Sequence, residues 1–276
     1  MAKEGFFVYS MLIQNTFVAK KSIIIQIMRN FAAYKIRIIL MMNILSRADA
    51  DLMVWLNGFH NSFFDGFMYL TSEKWVWVPV YMAIFFVVLH KYGLKRQTAI
   101  IVLMFAITIT LADTTCAAYL RPIFCRPRPC HPDSPIAALI HTVNGYHSGH
   151  YGMPSCHSAN SFALAALVTL LFRSRRLTAF IYIWAVIHTY SRIYLGVHYP
   201  GDILIGGIIG TFYAVLLYRA YLYVIAHETF LNSNKAHELP IKSCYANIVL
   251  ATGGTIFTLL LIVAATGYYN AVLKFI

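Results

Sequence analysis

The sequence predicts an all-α, polytopic membrane helical bundle of about six transmembrane helices with an N-terminal interfacial helix. Three observations carry this. Hydrophobic residues fill 59% of the 276 positions and charged residues only 12%, where soluble domains carry roughly a quarter charged. The apolar residues gather into stretches near the ~20 residues that a membrane-crossing helix needs. The basic residues behind the net charge of +12 sit in short loops between those stretches, not along one face. That placement excludes a nucleic-acid partner and points to membrane orientation and contact with anionic lipid.

Residues 1–45 form a basic extension. Lys20, Lys21, Arg29, Lys35 and Arg37 interrupt its apolar run, which predicts a basic amphipathic helix on the cytoplasmic surface instead of a span. The segment lacks a small-residue cleavage site after a clean apolar core, so it does not read as a signal peptide. Translation from Met41 or Met42 is expected, because the membrane body needs nothing upstream. Residues 46–68 open with Ser46, Asp49 and Asp51 as cap and first-turn residues. They place Leu52, Trp55, Leu56 and Phe59 at helical spacing. An interfacial helix and ordinary packing explain that spacing equally well.

Six spans are then expected, at roughly 75–90, 97–119, 155–172, 177–192, 202–225 and 246–268. Basic residues in the loops 90–96, 173–176 and 226–245 put those loops in the cytoplasm. The loop 121–153 and the junction 193–201 then face outward. Arg121, Arg126, Arg128 and Arg192 run against the positive-inside trend, and their concentration in polar clusters marks a site.

The odd cysteine count (Cys116, Cys125, Cys130, Cys156 and Cys244) argues against a zinc site or a disulfide scaffold. Cys125 and Cys130 are expected as free thiols, with a disulfide as the alternative. His131, His141, His147 and His150 invite a metal reading, but they carry no carboxylate or cysteine in register, so no metal site is expected. Asp113 is expected to pair with an arginine.

Three clusters carry chemistry. Arg121, Arg126 and Arg128 stand among Pro122, Pro127 and Pro129. Their forks suit phosphate, and a basic lipid-headgroup patch is the competing reading. Pro154-Ser155-Cys156-His157 opens an apolar helix, whose first-turn amides make an anion seat. Arg192 ends one span, and Asp202 follows His198 by four residues, close enough to accept Nδ1–H and leave Nε2 as a lone pair, with a structural His–Asp pair at a helix start as the competing reading.

These residues resemble a known family. Arg121-x6-Arg128-Pro129, Pro154-Ser155-x-His157 and Ser191-Arg192-x5-His198-x3-Asp202 resemble the three-part signature of the type 2 phosphatidate phosphatase and vanadium haloperoxidase superfamily. The resemblance covers about 46–225. It implies a catalytic domain there, with a cytoplasmic loop and a last span over 226–276. Two positions depart from the pattern: Arg121 stands where the family usually has lysine, and Cys156 where it usually has glycine.

The resemblance implies a metal-independent acid phosphatase without cofactor, acting through a phosphohistidine. His198 is the expected nucleophile, Asp202 its orienting partner and His157 the general acid and base. Arg121, Arg128, Arg192, Ser155 and the amides near Cys156 are expected to hold the phosphate oxygens. A bell-shaped pH profile follows from a charged His157 and a neutral His198. The implied substrates are lipid phosphates: isoprenyl diphosphates, lipid A phosphates, phosphatidylglycerol phosphate or phosphatidate. No obligatory protein partner is expected, and the site is placed on the outer side of the inner membrane. The alternatives are a non-enzymatic protein that binds or transports anionic lipid, and a vanadate-dependent haloperoxidase, which the membrane spans disfavour.

Overall fold

A computed structural model of the chain describes residues 44–231, 241 and 243–267. The amphipathic helix expected over 1–45 falls almost wholly outside the described residues, as does part of the 226–245 loop. The chain divides into two units, Met1–Asp49 and Ala50–Ile276. In the first, the described residues 44–49 are helical. The second holds the helices that follow.

The single helix expected over 46–68 is broken. Helical residues 50–57 (α1) end at Gly58, and a new helix, α2 (Ser62–Ser72), begins after Asn61, whose side chain accepts from Phe64 N at 2.9 Å. Asparagine is a strong N-cap, and this local bond outweighs the continuing apolar pattern. On α1 the exposed apolar residues are Leu52 and Trp55, while Met53 and Asn57 are buried. The Asn57 amide donates to the carbonyls of Ile193 and Tyr194 at 3.2 and 2.8 Å. Both carbonyls lie in the last turn of the helix that leads into the third cluster, so α1 fixes the end of that helix.

The six expected spans all appear as helices. They are α3 (Val78–Tyr92), α4 (Arg96–Thr114), α6 (Cys156–Phe172), α7 (Arg175–Tyr194), α8 (Pro200–Leu231) and α9 (Ser243–Thr266), with the short α5 (Arg121–Phe124) after α4. Segments Lys74–Tyr92, Arg96–Phe124, Pro200–His227 and Tyr245–Thr266 are long and apolar enough to cross a membrane. The other two differ for a physical reason. α6 has only 17 residues and α7 carries many polar ones. Both are wrapped by neighbours, α6 chiefly by α8, α7 and α4, so their composition answers to protein instead of lipid. Among the described residues there is no strand, only an isolated antiparallel bridge between Pro127 and Tyr151.

The tightest packing joins α6 to α8. A Cβ on Gly206 or Gly210 would collide with the backbone of Ser155 or Ala159 respectively. Glycines four apart on one face let two backbones touch, the usual device for close helix contact in membranes.

Candidate active site

Three loop segments are laced together at one end of this bundle. Residues 126–128 run antiparallel to 150–152, with Arg128 N donating to His150 O and Gly152 N to Arg126 O, both at 3.0 Å. Cys130 N donates to Gly196 O, also at 3.0 Å, and Ser155 N to Asp202 O at 3.0 Å. At the end of α7, Gly196 adopts φ 76°, in the left-handed region that glycine enters without strain. The amides of Val197 and His198 then donate back to Arg192 O at 3.1 and 3.3 Å. This turn brings the backbone of His198 over that of Arg192.

His198 is buried and bonded on both ring nitrogens. Its Nδ1 lies 3.3 Å from Asp202 Oδ2, and its Nε2 lies 2.8 Å from Arg128 Nη1. A guanidinium can only donate, so Nε2 carries the lone pair and Nδ1 the proton. Burial, followed by the charges of Arg128, Arg192 and Arg121, holds the His198 pKa well below its ordinary 6.5. The imidazole is therefore neutral at physiological pH.

Asp202 is fixed by more than histidine. Its Oδ2 also accepts from Tyr199 N at 3.0 Å, the return half of a capping box at the start of α8. Its Oδ1 accepts from Arg126 Nη1 at 3.2 Å, and that guanidinium lies 3.5 Å over the Tyr199 ring. Gly152 closes the arrangement: a Cβ there would sit 3.0 Å from Asp202 Oδ2 and 3.3 Å from Arg128 Cγ.

Arg128 is buried and donates to three acceptors: Gly149 O at 2.5 Å, Val197 O at 2.8 Å and the His198 ring. Burial first, then Arg121 and Arg192, lower its pKa to about 10, so it stays charged at neutral pH.

The other side of the site comes from α5, α6 and α7. A π-helical turn over Thr115–Leu120 widens the chain just before Arg121, a distortion that often re-aims functional side chains. Arg121 Nη2 donates to Pro154 O at 3.2 Å and lies 3.1 Å from Cys156 Sγ. Ser155, and not Pro154, stands at the helix start. Its oxygen caps Ser158 N, which leaves its hydroxyl hydrogen to donate. Arg192 donates to Ser72 Oγ and, at 3.1 Å, to Tyr146 OH. The Nε atoms of Arg121 and Arg192 are buried with no protein partner.

His157 is half-buried, within electrostatic reach of His198, Arg128 and Arg192. Its ring stacks on His188 with centroids 5.9 Å apart. Both histidines line a largely apolar cavity of about 650 Å³ between α3, α4, α6 and α7.

The structure thus brings together His198, His157, Asp202, Arg121, Arg128, Ser155, Cys156 and Arg192. Sequence reasoning left out Arg126, Tyr199, Tyr146, Ser72 and Gly152. Arg126 was visible in the first arginine cluster, while Ser72 and Tyr146 carried no pattern. Asp113 takes Asn160 Nδ2 at 3.1 Å as its partner in place of the expected arginine. Cys125 and Cys130 are free thiols.

The loop histidines do find a carboxylate, supplied by Asp133 from outside their sequence register. His150 Nε2 and His131 Nδ1 lie 2.9 and 3.6 Å from Asp133 Oδ2, and the three ligand atoms fall within 4.8 Å of one another. These residues could hold a metal ion. The imidazoles, however, stack nearly parallel at 4.0 Å, and parallel rings cannot both aim a lone pair at one ion without turning.

A helical membrane bundle gathers arginine forks, a helix N-terminus and a neutral buried imidazole at one end, a donor set that suits phosphate. Residues 97–226 match the PAP2 superfamily. The chain is 40% identical over 232 residues to a lipid A 4'-phosphatase of Bacteroides thetaiotaomicron, covering 84% of this chain and 99% of that one. It is 34% identical over 183 residues to a lipid A 4'-phosphatase of Porphyromonas gingivalis, covering 66% and 76%. Among solved structures, LpxE of Aquifex aeolicus is similar at 25% identity and TM-score 0.44, covering 61% of this chain and 93% of that one. The chain belongs to the PAP2 superfamily.

Proposed function

We propose that this membrane lipid phosphate phosphatase removes a phosphate from lipid A through a phosphohistidine formed on His198, at the outer side of the inner membrane. The observation that carries the mechanism is the protonation pattern of one ring. Nδ1–H faces Asp202, and the Nε2 lone pair lies among cations. The similarity to two lipid A 4'-phosphatases supports the choice of substrate.

A phosphate entering the pocket replaces Nε2 as the partner of Arg128 and meets the unpaired Nε atoms of Arg121 and Arg192. These groups stabilise the charge on the non-bridging oxygens as the transition state spreads it. His198 Nε2 forms the bond to phosphorus as the bond to the leaving oxygen breaks. Asp202 stabilises the imidazolium that results, and Arg126 keeps Asp202 in place. His157, as imidazolium, gives its proton to the departing alkoxide. A water then attacks the phosphohistidine while His157 takes a proton from it, returning both histidines to their starting states. No metal step is required.

The test is phosphate release from a panel of lipid phosphates by detergent-purified protein, with vanadate as inhibitor. Turnover of lipid A by wild type and none by His198→Ala is expected. A phosphate-labelled protein trapped by acid quench, absent in the variant, is the direct signature. Full turnover in His198→Ala removes the mechanism. Binding of anionic lipid without turnover supports the receptor reading instead.

A further inference from the structure

The fold brings two cysteines into contact beside Arg121. Cys116 lies fully buried in the π-helical turn Thr115–Leu120, and Cys156 is the first residue of α6. Both are free thiols, and they share a hydrogen bond. They pack together with Ala112 and Ala159, whose small side chains let the two elements approach. A disulfide needs its sulfurs at about 2 Å, so a short closing movement joins the pair.

The two sulfurs differ in surroundings. Two donors reach Cys156 Sγ: Arg121 Nη2 at 3.1 Å and the Cys116 thiol. Its own hydrogen faces Asp113 O at 3.8 Å, while the Asp113 carboxylate takes Asn160 Nδ2 at 3.1 Å. Reactive cysteines sit in electropositive, partly exposed settings of this kind, and thiols in apolar burial are inert. Access follows the same division. Cys156 is half-buried and lines the cavity of about 650 Å³, so a small oxidant can reach it. Cys116 is 0% exposed and meets such chemistry only through Cys156. One sulfur is placed to be oxidised and the other to resolve it.

We propose that Cys116 and Cys156 form a redox-active pair, and that a hydroperoxide closes it into a disulfide that switches the phosphatase off. The Cys156 thiolate attacks one peroxide oxygen, the O–O bond breaks, and the other oxygen leaves as water after taking up protons. Cys156 is then a sulfenic acid. Cys116 Sγ attacks that sulfur, the S–S bond forms as the S–O bond breaks, and the hydroxyl leaves with the Cys116 proton as a second water. Two thiols and one peroxide thus give one disulfide and two waters. Closure draws the Cys156 sulfur from Arg121, whose tip keeps only its bond to Pro154 O. It also staples the start of α6 to the turn that precedes Arg121. Arg121 and the first-turn amides of α6, both assigned above to the phosphate oxygens, lose their mutual geometry. The switch rests on the phosphatase reading above and adds its regulation.

The test treats the full chain in detergent with hydrogen peroxide and maps its cysteine peptides without reduction. Peptides linked through Cys116 and Cys156 are expected. Phosphate release from lipid phosphates should fall about 10- to 100-fold in kcat/KM and return on adding dithiothreitol. Cys116→Ala should match the reduced wild type in activity. Under excess peroxide that variant has no resolving thiol, so Cys156 runs on to the sulfinic acid and dithiothreitol does not restore turnover. The wild-type peptide map needs no variant and decides the matter where Cys116→Ala fails to fold. Links among other cysteines in place of this pair overturn the switch. So does a Cys116–Cys156 bond that leaves kcat/KM unchanged, or full recovery of oxidised Cys116→Ala. Reduced protein that releases phosphate from no lipid defeats the phosphatase reading, and the switch with it. Linked peptides found in that same sample tell this failure from the absence of a redox pair.

Discussion

The two sides of the candidate phosphate site differ in how completely their side chains are bonded. On one, His198, Asp202, Arg126 and Arg128 satisfy one another through contacts of 2.8 to 3.3 Å. On the other, Arg121 and Arg192 are anchored at their tips, but each leaves a buried Nε without a protein partner. The first side is organised before a ligand arrives. The second keeps two buried donors unpaired. Fixed geometry suits the nucleophile proposed on the first side, and unsatisfied donors suit the phosphate seat proposed on the second.

That contrast is broken most severely at its centre. His198→Ala should reduce lipid-phosphate turnover on the order of 10,000-fold or more, measured by inorganic phosphate release. His157→Ala should come next, at ~100- to 10,000-fold. Its loss should be larger on an alkyl lipid phosphate than on an aryl phosphate, whose leaving oxygen needs no proton. Equal losses on the two would separate His157 from the leaving group.

Arg126→Gln tests the organised wall without touching the phosphate. It should lower kcat by about 10- to 100-fold, through a loosened Asp202, with little change in KM. The pH profile sharpens the same point. Attack requires neutral His198, so activity is lost as pH falls through its pKa. Burial and three arginines hold that value below 6.5, so the acid limb of kcat/KM should lie below pH 6.5. A limb at or above that value contradicts the buried, cation-flanked ring.

The smallest effect is expected on the open wall. Cys156→Gly removes the sulfur near Arg121 but keeps the amide. It should shift KM more than kcat and lower stability by about 0.5–1 kcal/mol, read as a modest drop in Tm.

Much of this was legible in the sequence, for identifiable reasons. The six helices follow from runs of apolar residues, and the candidate site residues from a signature whose members the fold brings together. His198 and Asp202 meet because Tyr199 and Pro200 turn the chain between them. Where expectation failed, a local or long-range bond decided. Asn61 split the 46–68 helix with one cap. Asp133 joined His131 and His150 through a loop fold that no register shows. Asp113 found Asn160 across 47 positions, a pairing set by the packing of α4 on α6. The Gly206 and Gly210 contact was readable from small-residue spacing alone.

The direct touch of α6 on α8 has a consequence for how this enzyme rides in lipid. With no side chain between the two backbones, the turn that carries His157 and the turn that carries Asp202 move as one rigid plate. Outer helices can tilt to match a thicker or thinner bilayer while that plate keeps its register. The spacing between His157 and the His198–Asp202 pair is thereby insulated from the surrounding membrane.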